Sequence, residues 1–417
     1  MLAASGTKNI QPQANPFYNL TINGAATFRL SNNIIINNNL LISSGVFDVS
    51  TNNYNVTLKG NWTDNGSFSP YLGTVTLNGT NQIISNASGE AFYKLTLNNS
   101  GTTLSSGKVT VNNTLTMTAG NINTGTYKLT VGTSIGNPGT FTYLAGHIIG
   151  KFERWITTTA INYLYPLGPN ATLNSLTIRP VAGLTSGSLI AEYIASDPGN
   201  TGGLPLAEGG DSILLHFTRG YWNLIAQNGL VCTNYNVSLL ANYFSSGANI
   251  VNATSRIIKR TNNGPWSLDG THVNSSITLT DTTCIRNSLN GISTIGTQFG
   301  IAASSCLGGS ILADQQICSG SLPSTFTNSV SPSGGNNVFT YTWYYTTDMF
   351  AIAGDASWIA APSSNADNYA HLTPIISPTK FIRKINTSGC SAKYSNMLSV
   401  TLYPVPVSGP LYRLPNQ

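Results

Sequence analysis

The first third of this chain nearly repeats itself. Residues 17–23 read Phe-Tyr-Asn-Leu-Thr-Ile-Asn and return at 92–98 as Phe-Tyr-Lys-Leu-Thr-Leu-Asn, an interval of 75 residues. The segments around Gly45 and Gly120 also resemble each other at this interval. Such a repeat indicates stacked units, each of which buries its apolar face against the next. The chain also begins partway through a repeat, so we expect it to be a piece of a longer polypeptide.

Short apolar runs alternate with Thr and Asn in this region, as in Ile-Ile-Ile at 34–36 and Val-Thr-Leu at 56–58. Alternation with a period of two predicts strands with one buried face. Asn-Gly, Ser-Gly and Asn-Asn turns separate the runs. We predict a β-solenoid with about 20 to 30 residues per coil and about three coils per repeat. A β-sandwich of hairpins is the competing interpretation.

The composition points to the same class. Only 8% of the 417 residues are charged, against about 25% in an average soluble protein. Asn, Thr, Ser and Gly supply most of the polar side chains, and they suit turns and strands better than helices. No stretch of ten or more residues has a helical period, and no apolar segment is long enough to span a membrane. The predicted fold class is therefore all-β.

The net charge of +5 gives little support for nucleic-acid binding, because the 19 Lys and Arg residues are spread along the chain. Binding of that kind normally requires a concentrated basic stripe. The densest cluster consists of Arg256, Lys259 and Arg260. We interpret it as a solvated strand face.

Changes in composition divide the chain into regions. Residues 1–138 hold the solenoid repeats, and residues 139–309, richer in aromatic residues, predict an antiparallel β-sandwich. The first strands of that sandwich are expected to cap the solenoid. Residues 310–405 predict an Ig-like β-sandwich, and the proline-containing tail 406–417 predicts a linker.

The five cysteines all lie in the second half of the chain. Cys318, Trp343 and Cys390 follow the order of an immunoglobulin-like sandwich, in which a tryptophan packs near a disulfide. Cys232 and Cys284 are candidates for a second disulfide, although spacing does not decide the pairing. The odd number leaves at least one cysteine unpaired or joined to something outside this segment.

The sequence offers few groups for catalysis. Asp48 and Asp64 are placed to become neighbours between coils, and paired carboxylates would allow glycoside hydrolysis. The simpler interpretation, which we favour, is that they are solvated loop residues. None of the four histidines has metal-ligand spacing with another His, Cys or carboxylate. We therefore predict no enzyme activity, no catalytic residue, no metal site and no cofactor.

Exposed aromatic side chains are the remaining candidates for ligand binding, because sugar rings stack on them. Trp266 follows a Gly-Pro turn, which favours an exposed ring, and Trp358 is the second candidate. We assign these two as candidates, while Trp222 and Trp343 are expected to lie in the core.

A family resemblance covers the last quarter of the chain. Residues 311–323 read Ile-Leu-Ala-Asp-Gln-Gln-Ile-Cys-Ser-Gly-Ser-Leu-Pro, followed by Tyr-Thr-Trp at 341–343 and Gly-Cys at 389–390. This resembles the PKD-like or Ig-like modules of large Bacteroidetes surface proteins. The segment 146–168 and the Phe-x-x-Leu-Thr-x-Asn repeat also resemble parts of such proteins.

That resemblance implies type IX secretion and display on the cell surface, as in gliding or attachment adhesins. It also implies O-glycosylation at Asp-Ser/Thr motifs, for which Ser212 and Thr282 are candidates. The sorting domain typical of this export route is not in the sequence, so secretion rests on the resemblance.

We expect a non-enzymatic, extracellular structural or adhesive segment that acts as a stalk and a multivalent binding surface. Its partners would be surface glycans or matrix components and further modules of the same polypeptide. Nucleic acid and membrane insertion are not expected. One alternative is a polysaccharide-binding or polysaccharide-degrading β-helix protein. Another is the subunit of an extracellular filament.

Overall fold

A computed structural model describes residues 6–12, 15–208, 211–242, 244–246, 249–251, 255–277, 282–304, 306–332, 338–387 and 392–404. This part of the chain consists of strands and connections without a helix, so the all-β prediction is confirmed. The chain forms two compact units, one of residues 1–204 and 215–303 and the other of residues 205–214 and 304–417.

Fourteen strands build the N-terminal part of the first unit. They are β1 (Thr7–Ile10), β2 (Leu20–Ile22), β3 (Thr27–Leu30), β4 (Ile34–Ile36), β5 (Leu40–Ile42), β6 (Val46–Asp48), β7 (Val56–Leu58), β8 (Trp62–Asp64), β9 (Ser67–Ser69), β10 (Thr74–Leu77), β11 (Gln82–Ser85), β12 (Glu90–Ser106), β13 (Val109–Val131) and β14 (Thr140–Tyr143).

These strands form a β-solenoid of about seven turns, which confirms the predicted architecture. One parallel ladder is β1-β3-β6-β9, a second is β2-β5-β8-β11, and a third is β4-β7-β10. The long strands β12 and β13 bend around corners and continue the second and third ladders. Each coil therefore pairs only with the coils directly above and below it.

The 75-residue sequence repeat does not equal a whole number of coils. In the second ladder, Leu20 pairs with Leu40, and the pairing continues through Trp62 and Ile84 to Leu104. Three coils thus carry the chain from Leu20 to Ile84 and four carry it to Leu104. Each coil in this ladder advances the chain by 20 or 22 residues. An interval of 75 residues therefore falls between three and four coils, and the expected three coils per repeat is wrong.

Aromatic rings fill part of the solenoid interior. The ring of Trp62 lies edge-on against Phe68 and Phe92, with centroid distances of 4.8 and 5.1 Å. Phe47 stacks on Phe68 at 5.6 Å. Trp62, Phe92 and Phe47 are fully buried, and this packing couples neighbouring coils through contacts beyond the backbone ladders.

Asparagine side chains connect the coils at two corners. Asn19 Oδ1 accepts a hydrogen bond from the backbone N–H of Asn39 at 3.0 Å, and Asn39 Oδ1 accepts one from Asn61 at 2.8 Å. A parallel series runs from Asn33 to Asn55, again at 2.8 Å. An amide oxygen satisfies a corner N–H that no strand can pair. Asparagine at these corners therefore supplies hydrogen bonds between coils.

The rest of the first unit and the start of the second contain fourteen further strands. They are β15 (Ile148–Ile156), β16 (Tyr163–Tyr165), β17 (Leu176–Thr185), β18 (Gly187–Ile194), β19 (Leu206–Glu208), β20 (Asp211–His216), β21 (Tyr221–Gln227), β22 (Val231–Leu240), β23 (Ser245–Ser246), β24 (Asn249–Ile250), β25 (Arg256–Thr261), β26 (Thr271–Ile277), β27 (Thr282–Leu289) and β28 (Thr297–Ser304).

Strand β15 joins the solenoid to an antiparallel region. One edge of β15 pairs in parallel with β13, and the other edge pairs antiparallel with β18. The antiparallel sheet continues through β21 and β28 to β25. A second antiparallel sheet has the order β16-β17-β22-β27-β26. Residues from both sheets share one hydrophobic core with the solenoid, so this region covers the last coil.

The second unit contains eight strands in its C-terminal part, which are β29 (Ser310–Leu312), β30 (Gln315–Ile317), β31 (Thr327–Val330), β32 (Phe339–Thr346), β33 (Ile359–Ala360), β34 (Thr379–Thr387), β35 (Lys393–Tyr394) and β36 (Leu398–Leu402). The main sheet has the order β30-β36-β34-β32-β33, and β29 pairs with β31. Trp343 is buried between Phe326 and Tyr369, as predicted for a core tryptophan.

Both predicted disulfides are wrong. Cys232 lies on β22, where it pairs with Leu184 of β17. Cys284 lies on β27 and pairs with Leu239, which is seven residues beyond Cys232 on β22. At about 3.3 Å per residue, the two buried cysteines lie far beyond the span of a disulfide, which is less than about 7 Å between Cα atoms. Cys318 is exposed and carries a free thiol. Its predicted partner, Cys390, lies outside the described residues, and Cys306 is buried and disulfide-bonded.

The basic cluster is buried, which corrects the interpretation of a solvated face. Arg256, Lys259 and Arg260 are 6%, 8% and 2% exposed. Lys259 Nζ donates to Asp269 Oδ2 at 2.7 Å, and Arg260 Nη2 donates to the carbonyl of Pro198 at 2.7 Å. The cations are satisfied by groups from distant parts of the chain, so this segment offers no basic surface for a polyanion.

Candidate functional site

Two carboxyl groups meet inside the solenoid. Asp64 lies at the end of β8 and Glu90 at the start of β12, and they are 2% and 4% exposed. Trp62 Nε1 donates to Glu90 Oε2 at 2.7 Å, and the backbone N–H of Gly66 donates to Asp64 Oδ1 at 2.8 Å. No N–H of the described residues donates to Asp64 Oδ2, which is also buried.

This environment favours a shared proton. Burial, followed by the charge of Asp64, raises the pKa of Glu90 to about 8. Burial also raises the pKa of Asp64. Two carboxylates in a low-dielectric interior repel each other, so the neutral form of one is favoured. When Glu90 is protonated, its carboxyl O–H can donate a hydrogen bond to Asp64 Oδ2.

The predicted neighbours Asp48 and Asp64 do not form this pair. Asp48 is 3% exposed and accepts a hydrogen bond from Arg29 Nη2 at 3.1 Å, on a different ladder. Its Oδ1 atom also accepts from the N–H of Ser50. The interpretation of both aspartates as solvated loop residues is therefore wrong, and sequence reasoning missed the partner Glu90. A general acid must reach the glycosidic oxygen, and burial keeps Asp64 and Glu90 from a polysaccharide outside.

A cavity of about 560 Å³ lies in the antiparallel region of the first unit. Its polar lining consists of Thr172, Asn174, Tyr193, Thr218, Arg219 and Asn242. The backbone holds several of these groups in place. Tyr193 Oη donates to the carbonyl of Arg219 at 3.2 Å, and Asn174 Nδ2 donates to the carbonyl of Asn242 at 3.2 Å.

The cavity suits a small polar ligand. Its volume lies in the range of small-molecule sites, roughly 300 to 1,000 Å³. Arg219 is exposed, and within the described part of the chain its side chain has no carboxylate partner. Burial raises the pKa of Tyr193, so this phenol stays neutral. The lining therefore offers one cation with hydroxyl and amide groups, which suits hydroxyl-rich or anionic ligands.

Trp266, a predicted ligand-stacking residue, is instead part of the core. It is 2% exposed, and its Nε1 atom donates to the carbonyl of Asn200 at 2.9 Å. The guanidinium of Arg260 lies 4.1 Å from the ring centroid. The indole is therefore buried although it follows a Gly-Pro turn, and the prediction of an exposed ring is wrong.

Trp358, the second candidate, lies in the C-terminal unit and is half-buried. Its Nε1 atom donates to the carbonyl of Ile352 at 2.7 Å, which fixes the ring against a surface loop. The neighbouring side chains of Phe350 and Ile352 are exposed. Part of the indole thus remains accessible, and ligand stacking on Trp358 stays a prediction.

The proposed glycosylation residues lie on strands. Ser212 belongs to β20, and its side chain lies outside the described part of the structure. Thr282 begins β27 and is half-buried, and its carbonyl accepts a hydrogen bond from Ala241 at 2.8 Å. Glycosylation at both residues stays a prediction.

The described residues contain no group of three His, Cys, Asp or Glu side chains arranged to hold a metal ion. Within the same residues, the structure contains no helix with the length and apolar character needed to cross a membrane.

The fold therefore defines an all-β protein in which a β-solenoid is covered by antiparallel sheets. Residues 307–404 match the family model described as Domain of unknown function (DUF8696). No curated protein matches the chain. Among solved structures, a β-1,2-glucanase from Parabacteroides distasonis is similar at 8% identity and a TM-score of 0.17, over 52% of this chain. The match spans only 37% of the glucanase chain, and at this score it carries no argument.

Proposed function

We propose that this chain is a non-enzymatic structural segment that acts as a stiff spacer in an extracellular adhesive protein. The observation that carries the proposal is the continuity of the parallel ladders from β2 through β13 to β15. Every coil is bonded to its neighbours on several faces, so bending or stretching must break many hydrogen bonds together. Such a rod holds other modules at a fixed distance from a surface.

Two further features support a spacer. The asparagine corners add side-chain hydrogen bonds between coils, as in Asn39 to Asn61 at 2.8 Å. The last coil is covered by β15 and β18, so its apolar interior is not left open. Covering protects this end of the solenoid from uncontrolled edge pairing. The carboxyl pair of Asp64 and Glu90 is buried, which keeps it from a polysaccharide outside.

The proposed location is the bacterial cell surface, with surface glycans or matrix components and further modules of the same polypeptide as partners. The low charge and the compact β units fit a chain that must resist proteolysis. Many weak contacts would then add through effective concentration when several modules act together.

Optical tweezers would test the spacer role, with the chain tethered through its two termini. We expect a mechanically resistant phase that gives way in small repeated steps, because each coil contacts only its neighbours. A chain that extends at the low forces typical of an unfolded linker would contradict the proposal. Release of reducing ends from a panel of polysaccharides would contradict its non-enzymatic part.

Glycan binding at the cavity is a second candidate, favoured by the exposed Arg219 beside Asn174 and Tyr193. A glycan array with neutral and acidic sugars would test it. We expect Arg219→Ala to reduce binding of acidic sugars, while Arg179→Ala, at an exposed arginine of β17, leaves it unchanged. Equal binding by both variants, or no binding by the unmodified protein, would reject this candidate.

A further inference from the structure

One outer face of the solenoid carries an unbroken column of threonines. Thr57 pairs with Thr76, Thr76 with Thr96, Thr96 with Thr116 and Thr116 with Thr142. These five residues occupy successive coils in the ladder β7-β10-β12-β13-β14. Because parallel strands keep their register here, the five side chains point outward from equivalent positions.

A second column runs beside the first, two residues earlier on each strand. It contains Thr74, Lys94, Thr114 and Thr140, which pair with one another in the same order. Three of these four coils therefore show the motif Thr-x-Thr, with the middle residue buried or partly buried in the interior. Lys94 is the charged exception, and its ammonium lies over the ring of Tyr93.

The two columns form a regular grid. Neighbouring strands lie about 4.8 Å apart, and residues i and i+2 lie about 6.7 Å apart along one strand. The pairing of Lys94–Leu97 with its neighbours has no register shift. Flat sheets of many strands are typically stabilised by side-chain ladders of this kind.

The hydroxyls of the first column are available to a ligand. Within the described residues, the side chains of Thr57, Thr76, Thr96, Thr116 and Thr142 make no hydrogen bond. All five are half-buried or exposed. Each presents a methyl group and a hydroxyl, so the grid alternates apolar and hydrogen-bonding points without a formal charge in this column.

Strand propensity alone does not account for the column. Threonine favours strands in general, but the outward positions of the second ladder vary. There, Thr21 is followed by Leu41, Thr63 and Ser85. The five consecutive threonines follow Ile35, which pairs with Thr57 in the first coil of this ladder. The second ladder has no such run, which points to a ligand that is itself periodic.

We infer that this threonine face binds ice. The spacing of the grid is on the scale of the oxygen rows in a crystal face of ice, and a flat array of hydroxyls and methyls can order water in the same pattern. Crystalline polysaccharides repeat on a similar scale, but their sugar rings are recognised mainly by aromatic side chains, and both columns lack them. The inference concerns the side of the rod and is independent of the proposed spacer role.

Ice affinity tests this inference with the full chain. The protein is left in contact with slowly growing ice, and the fraction incorporated is compared with the fraction left in the liquid. Growth of single ice crystals in the same solution is followed in a nanolitre osmometer. We expect the protein to enter the ice and to alter the crystal shape.

Two tyrosine variants place the same bulky ring on two different faces of the solenoid. Thr96→Tyr interrupts the column and should abolish incorporation. Thr103→Tyr carries the same change at an exposed position of the same strand β12 on another face, and should bind like the unmodified protein. Circular dichroism confirms the fold of each, and Thr96→Val with Thr116→Val removes hydroxyls while keeping the β-branched shape.

Three outcomes would overturn the inference. The first is that the unmodified, folded protein is excluded from ice. The second is that Thr103→Tyr loses as much ice binding as Thr96→Tyr. The third is that the protein binds crystalline cellulose or chitin in a sedimentation assay and is not incorporated into ice. If Thr96→Tyr does not fold, Thr116→Tyr in the same column takes its place, and unchanged ice binding by that folded variant overturns the inference.

Discussion

Trp62 donates a hydrogen bond through Nε1 to Glu90 Oε2 at 2.7 Å, from one coil of the solenoid to a residue 28 positions later. The acceptor is a carboxyl group that burial and Asp64 keep protonated near neutral pH. The interior of this solenoid thus contains a titratable group in contact with its largest aromatic side chain. Its stability should therefore depend on pH.

We predict that the solenoid loses stability as the pH rises. The ordinary pKa of glutamate is 4.5, and the pKa of Glu90 in the folded protein is about 8. Between these values the folded chain holds a proton that the unfolded chain has released, so the free energy of unfolding falls with increasing pH and levels off above about 8. Urea unfolding measured from pH 5 to pH 9 would show this decline.

Glu90→Gln provides the matched test. Glutamine keeps an oxygen that accepts from Trp62 but does not titrate, so the decline between pH 5 and pH 9 should become much shallower. Asp197→Asn, at an exposed carboxylate of the same unit, should leave the decline in place. An unchanged pH dependence in Glu90→Gln would show that another group is responsible.

Glu153 joins the last solenoid coil to the covering sheet. Its carboxylate accepts from Lys128 Nζ at 2.7 Å, from Thr130 Oγ1 at 3.0 Å and from Ser188 Oγ at 2.6 Å. Burial alone would raise the pKa of Glu153, but the hydrogen bonds from Lys128 and Ser188 outweigh it and lower the pKa. Its contribution to stability is therefore present above pH 4.5 and is lost as the pH falls through the lowered pKa.

We predict that Glu153→Ala destabilises the first unit by about 1 to 3 kcal/mol at pH 7, because it leaves buried hydroxyls without their acceptor. Glu192→Ala, on β18, removes a partly buried glutamate whose pKa is raised by burial, and should cost less than about 1 kcal/mol. Chemical denaturation at pH 7 measures both. Equal losses in the two variants would indicate that the junction at Glu153 has no special role.

The sequence predicted the solenoid because alternation is a local property. Residues such as Val56, Leu58 and Val75 had to face the interior once the strands were assigned, and all three are buried. The sequence repeat, by contrast, misled the count of coils. Phe17 lies on the third ladder and pairs with Ile36, whereas its repeat counterpart Phe92 pairs with Val111 on another face. Similar residues were thus used at different positions of the coil.

The errors concern contacts between distant parts of the chain. Trp266 is buried because Asn200, 66 residues earlier, accepts its indole N–H. Arg260 is buried because Pro198 supplies a carbonyl from 62 residues away. Local composition around a Gly-Pro turn or a basic strand contains no signal for such partners. The pairing of Asp64 with Glu90 escaped prediction for the same reason, since the coil length that joins them was not known.

Cysteine accessibility gives another prediction. In the native protein, Cys318 should react readily with a maleimide, because it is exposed and free. Cys232 is buried, and burial raises its pKa, so it should react only after unfolding. Mass spectrometry of labelled peptides measures both sites, and Cys318→Ser serves as the control. A peptide pair joined by a disulfide between Cys318 and Cys390 would contradict the structure.

The asparagine side chains at the solenoid corners should contribute to the free energy of unfolding. Asn39 Oδ1 accepts the backbone N–H of Asn61 at 2.8 Å, so Asn39→Ala should lower the free energy of unfolding by about 1 kcal/mol. Asn39→Asp keeps an acceptor oxygen and should cost less. Asn65→Ala changes an exposed asparagine whose side chain makes no hydrogen bond within the described residues, and should stay within about 0.5 kcal/mol of the unmodified protein. If Asn39→Ala and Asn39→Asp are equally destabilised, the side-chain oxygen does not stabilise the corner, and asparagine is there for its turn conformation alone.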